Sequence, residues 1–268
     1  MEKKLILRGF LAGAVGGVLA FVIARVFAEP LIGRAIDYEE GRAAAEAALR
    51  GDAGGHEAEL VSRTVQENAG LGVGMIAFGV AVGGLYAVAY ALCLGRTGSV
   101  RPRPLALLVA LAGFVVLCLV PAMKYPANPP AIGQEETVDH RTGLHLVMLV
   151  VALVAAVLGV TVGQALQPRF GVWKAALMGG AGFALAVGVA MAVLPAVGET
   201  PLPLREEAGR IVFPGFPADV LADFRFYALA AQAALWAGIA VVFAPLVDGV
   251  LAGPRARGRE SAPVRTAG

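Results

Sequence analysis

The chain is short of charge and of the side chains that carry most enzyme chemistry. Of its 268 residues only 16% are Asp, Glu, Lys or Arg, three are histidine and two are cysteine. A soluble chain of this length needs far more polar surface to cover one core. No Gly-x-x-x-x-Gly-Lys-Ser/Thr segment is present to cradle phosphates, which excludes ATP use by that route. Neither His-Glu-x-x-His nor Gly-x-Ser-x-Gly occurs, so no hydrolase chemistry is indicated. The reading is of a protein that is not an enzyme, with no resident cofactor and no nucleic-acid partner. Cys93 and Cys118 fall near opposite ends of apolar segments, too far apart for a disulfide, which needs α-carbons within about 7 Å.

What the chain has is apolar length. Hydrophobic residues make up 58% of it, and the mean hydropathy is +0.73. Six runs stand out, at residues 5–28, 69–94, 105–123, 143–166, 173–197 and 226–251. Each supplies about the 20 residues that a helix needs to cross a ~30 Å hydrocarbon layer. Helices are the open-chain solution there, because lipid satisfies no free backbone group. The fold class is therefore all-α, a polytopic bundle of six transmembrane helices in one domain over residues 1–251. Membrane lipid is its first partner. A basic tail, 252–268, follows and is expected to be disordered.

Charge gives the orientation. Lys3, Lys4, Arg8, Arg96, Arg101, Arg103, Arg169, Lys174, Arg255, Arg257, Arg259 and Arg265 lie on one side with only Glu2, Asp248 and Glu260, a net of 12 − 3 = +9. The loops on the other side hold nine Lys/Arg and seventeen Asp/Glu, a net of 9 − 17 = −8. Basic short loops mark the cytoplasm, so both termini are placed inside and the acidic loops outside. Cleavage of the first run as a signal peptide after Ala28 is the alternative, and its length argues against it. Arg25 is expected to snorkel or to pair with Glu29, four residues on.

Segments 73 to 74 residues apart look alike. Ala69-Gly70-Leu71 and Met75 match Thr142-Gly143-Leu144 and Met148, while Val120-Pro121-Ala122 matches Leu194-Pro195-Ala196. The hairpin of helices two and three is read as duplicated in parallel by helices four and five. Glycines fall at i, i+4 spacing on helix one (Gly9, Gly13, Gly17) and helix two (Gly79, Gly83). These allow close backbone approach, within the bundle or, alternatively, between copies in an oligomer.

The outer face carries the remaining chemistry. The third loop, with Pro126, Pro129 and Pro130, is expected to lie stiffly over the bundle. It leads into Glu135, Glu136, Asp139 and His140, with His145 beyond, and His56 and Glu57 lie in the first loop. Carboxylate with imidazole suits a borderline divalent ion such as Co²⁺ or Ni²⁺, so these are the candidate metal residues. Lys124 and Arg141 are expected to pair with the acids.

The segment Pro121-Ala122-Met123-Lys124-Tyr125-Pro126-Ala127-Asn128-Pro129-Pro130 resembles the CbtA family of cobalt transporter subunits. So do Arg141-Thr142, Phe216-Pro217-Ala218-Asp219-Val220-Leu221, Phe224-Arg225, Gln232 and Leu235-Trp236. The motif residues are Pro121, Lys124, Tyr125, Pro126, Asn128, Pro129, Pro130 and Arg141. The resemblance implies a multi-pass subunit for Co²⁺ uptake in a bacterial cytoplasmic membrane. It also implies a small single-helix, His-rich partner of the CbtB kind. Some relatives place a histidine in helix three before the loop, where this chain reads Leu117-Cys118-Leu119. The alternative function is a non-conducting scaffold for a partner subunit, in which glycine-rich helix one would matter most.

Overall fold

Two prolines fall where helices should break, and neither breaks one. The computed structural model describes residues 2–51, 63–97, 100–130, 132–133, 135–198 and 200–251; the side chains of Thr64, Gln66, 135–138 and 248–251 lie outside the description. Helix α1 (Glu2–Ile23) passes through a π-helical turn (Ala24–Ala28) into α2 (Glu29–Arg50), 49 residues in one run. Pro30 sits in the first turn of α2. An interior proline clashes with the carbonyl four residues back, here that of Val26. Val26 lies inside the π turn, whose wider spacing accommodates the ring. Pro121 repeats the arrangement: the π turn Val115–Leu119 separates α5 (Pro102–Phe114) from α6 (Val120–Lys124). The expectation that helix one stops at Ala28 is thus corrected, because its second half leaves the bundle and continues outward.

A short turn α3 (Arg63–Val65) and a third π segment (Gln66–Gly70) lead into α4 (Leu71–Cys93). Helix α7 (Glu135–Val193) is bent at Gly171, whose φ of 76° and ψ of 164° are non-helical. Its two halves fold back on one another, since a Cβ on Gly159 would lie 2.8 Å from the Gly179 carbonyl oxygen. A two-stranded antiparallel hairpin, β1 (Leu204–Arg205) and β2 (Ile211–Phe213), precedes α8 (Ala218–Leu251). Helix starts at residues 135 and 218 lie well upstream of the apolar runs at 143 and 226. Five helices of the described residues are long and apolar enough to cross a membrane, with both halves of α7 counted in one. The tail 252–268, His56 and Glu57 lie outside the described residues.

Helix α1 is the centre of the bundle. Gly9, Gly13 and Gly17 pack on Gly83, Gly79 and Met75 of α4, an antiparallel contact of backbone on backbone. Gly16, on another face of α1, packs against Leu235 of α8. The glycine stripe of helix one is therefore used inside the chain. Tyr86 donates to the Ala106 carbonyl at 2.7 Å and Tyr90 to Pro102 at 3.2 Å, joining α4 to α5. Trp236, Phe243 and Ile239 of α8 complete this core. The α7 pair joins it through Val116 and Val120, which pack on Met148, Ala152 and Val187. Both cysteines are free thiols.

At the acid-rich end, Leu31, Ala35 and Tyr38 of α2 pack with Ile132, Phe216, Val220 and Leu221 to form a small separate core. Arg25 does not pair with Glu29. Its Nε donates to Asn68 Oδ1 at 2.9 Å, and its Nη2 lies 3.6 Å from Glu67. Glu29, 5% exposed, is paired with Arg63 instead. Helical spacing puts Glu29 beside Arg25, but the packing of α1 beside the lead-in to α4 offers each a better-placed partner.

Candidate functional site

The proline-rich segment after α6 is held at three points. Tyr125 is buried and donates its hydroxyl to the Pro195 carbonyl at 2.7 Å, and burial raises the phenol above its ordinary pKa. Arg141 of α7 donates to the Pro126 carbonyl, and Arg225 Nη2 of α8 donates to Asn128 Oδ1 at 2.8 Å. His145 Nδ1 lies 3.4 Å from the Tyr125 carbonyl. The described part of the loop lies against α7, α8 and the segment at Pro195, with arginines pinning it and pyrrolidine rings limiting its backbone. Tyr125→Phe should cost about 1–3 kcal/mol, because the Pro195 carbonyl loses its donor in a buried setting. A thermal unfolding curve in detergent measures it.

Beneath the loop is a cavity of about 680 Å³. The end of the α5–α6 run supplies Leu117, Cys118 and Met123; α7 supplies Arg141, His145 and Leu146; α8 supplies Arg225, Phe226, Leu229 and Gln232. At its floor the Cys118 thiol donates to Gln232 Oε1 at 3.7 Å and accepts from Trp236 Nε1 at 3.3 Å. Cys118 lies in a π segment, an irregularity common at functional positions.

The sequence-predicted metal residues are only partly assembled. Glu135 and Glu136 start α7, with side chains outside the description. Asp139 and His140 follow on its exposed first turns. Of the three whose side chains are described, Asp139, His140 and His145, it is His145 that lines the cavity. Among the described residues no three His, Cys, Asp or Glu side chains come together as a metal group. Arg141 meets a backbone carbonyl of the loop. Arg225 was legible only as a member of the Phe224-Arg225 pair. Its signal was a guanidinium at the head of an apolar run, which needs a partner near the interface.

The model of the CbtA family, described as a probable cobalt transporter subunit, matches residues 2–248. No curated protein and no solved structure matches the chain. The chain belongs to the CbtA family, and with its five long apolar helices it is a multi-pass membrane protein of the transporter-subunit class.

Proposed function

We propose that this CbtA family member is the membrane subunit of a divalent cation uptake system, gathering Co²⁺ at an acidic outer face for passage across a bacterial cytoplasmic membrane. The observation that carries this reading is the separation of charge along the helix axes. Exposed Asp37, Glu39, Glu40, Asp139, Glu207, Asp219 and Asp223 belong to the end that holds α2, the hairpin and the starts of α7 and α8. Exposed Lys3, Lys4, Arg96, Arg101, Arg103, Arg169 and Lys174 belong to the opposite end. Basic ends face the cytoplasm, and an acidic outer face raises the local concentration of cations.

The arrangement has six crossings, with the halves of α7 counted separately and both termini inside. Duplication of the α4–α6 hairpin as α7 is supported by its turns. Gly95 and Gly171, 76 residues apart, both have φ of 76° at the inner ends of the two hairpins. Glu135, Glu136, Asp139 and His140 form the ion-gathering patch, and His145 stands between it and the cavity. The family description as a subunit leaves room for a small His-rich single-helix partner to supply further ligands.

Replacing Asp139 and His140 with Ala should lower ⁵⁷Co²⁺ uptake about five- to ten-fold, the weight of one or two near charges in water-like surroundings. The assay uses cells without other cobalt importers, with membrane insertion held equal. Unchanged uptake removes the patch from the mechanism. A scaffold without an ion path is the second reading, favoured by the lack of a three-residue metal group among the described residues. It requires cobalt uptake with the partner to survive loss of every outer acid.

A further inference from the structure

The cavity under the proline-rich loop is a poor place for a bare cation. Its described lining includes two guanidiniums, Arg141 and Arg225, and no carboxylate. Arg225 is the better defined of the two. One hydrogen bond ties its Nη2 to Asn128, and its buried Nε has no hydrogen-bond partner among the described residues. A planar guanidinium with a donor in reserve in the lining of a cavity is suited to an oxyanion, which it can meet with two parallel hydrogen bonds.

Beside Cys118, Thr142, His145 and Gln232, the rest of the lining is largely apolar, and part of it is exposed. Met123 and Phe226 are each 67% exposed, and Leu146 is 55% exposed. They stand toward the outer ends of α6, α8 and α7, and exposed apolar surface on membrane-crossing helices would meet the hydrocarbon. A volume near 680 Å³ is in the range of roughly 300–1,000 Å³ typical of sites for small organic ligands. The occupant that fits has an anionic oxygen head at the membrane surface and an apolar tail running into the bilayer. A free metabolite lacks the tail, and a cation meets the wrong charge.

We propose that this cavity is a binding site for an outer-leaflet phospholipid. Its phosphodiester sits at Arg225, beside Arg141, and one acyl chain lies along Met123, Leu146 and Phe226. This site is independent of which ion the chain carries. A bound lipid would brace the same Pro126–Asn128 segment that the two arginines hold, joining the start of α8 to the start of α7.

The test is native mass spectrometry of the full chain released from nanodiscs of phosphatidylglycerol and phosphatidylethanolamine. Wild type should retain one phospholipid through delipidating detergent washes. Arg225→Gln should bind it about ten- to hundred-fold more weakly, the value of charge-assisted hydrogen bonds. Leu146→Trp, which fills the apolar wall and leaves Arg225 in place, should do the same and decides the matter if Arg225→Gln does not fold. Retention unchanged in the folded variants, or no retained lipid in wild type, overturns the proposal. Displacement of the lipid by glycerol phosphate alone would also overturn it, since the site would then be one for soluble oxyanions.

Discussion

Gly13→Leu should abolish folded protein in the membrane, whereas Gly180→Leu should leave it intact. A Cβ on Gly13 would lie 2.1 Å from the carbonyl oxygen of Gly79 and 2.9 Å from the α-carbon of Gly83. The contact is reciprocal, because a Cβ on Gly79 would lie 2.4 Å from the Gly13 oxygen. These neighbours are backbone, so no rotamer change relieves the clash. Within lipid there is no hydrophobic force to press helices together, and close packing of small residues is much of what holds them. Moving α4 away from α1 to admit a leucine would open the Gly9 and Gly17 contacts as well. Separating α1 from α4 in this way should exceed about 4 kcal/mol, the exceptional end of single substitutions. Gly180 has nothing within 4 Å of its would-be Cβ and serves as the control. Fluorescence-detected size exclusion of the two variants reads the difference. A monodisperse Gly13→Leu peak with wild-type thermal stability would show that the α1–α4 seam is not set by these glycines.

The long apolar runs and the charge of their loops were readable in the sequence because lipid imposes them residue by residue. The close approach of α1 and α4 was foreshadowed too, since glycine at every fourth position has few other uses. The course of the chain beyond the membrane was not. Pro30 reads as a stop, and only the π turn at Ala24–Ala28, which no local pattern announces, lets α2 continue. Nor could spacing along one helix show that Arg25 reaches Asn68 and Glu67, because that partnership depends on how α1 sits against the segment leading into α4. At the candidate site the motif Lys124-Tyr125-Pro126 marked the loop correctly, and the grip on it stayed hidden. The residues that pin the loop come from α7 and α8, 15 and 97 positions away.

The largest effect expected outside the glycine seam is at the Glu29–Arg63 pair. Glu29 begins α2 with its side chain 5% exposed, and Arg63, about one-third exposed, is its ion-pair partner. Arg63→Met removes the cation and leaves a buried carboxylate unpaired, at the junction where α1 leaves the bundle. Breaking a buried pair from one side costs about 3–5 kcal/mol, and the partial exposure of the arginine puts the expected loss toward the lower figure. Glu29→Gln alone should cost less, since an amide tolerates burial far better than a lone charge. The double variant Glu29→Gln with Arg63→Met should therefore recover much of what Arg63→Met loses, which simple loss of packing by the arginine stem would not allow. Additive losses would show that Arg63 acts through its aliphatic stem. Because the pair ties α2 to α3, its failure should also loosen the outer cap. Faster proteolysis in α2 of Arg63→Met, reversed in the double variant, would link this one ion pair to the surface on which cations are proposed to gather.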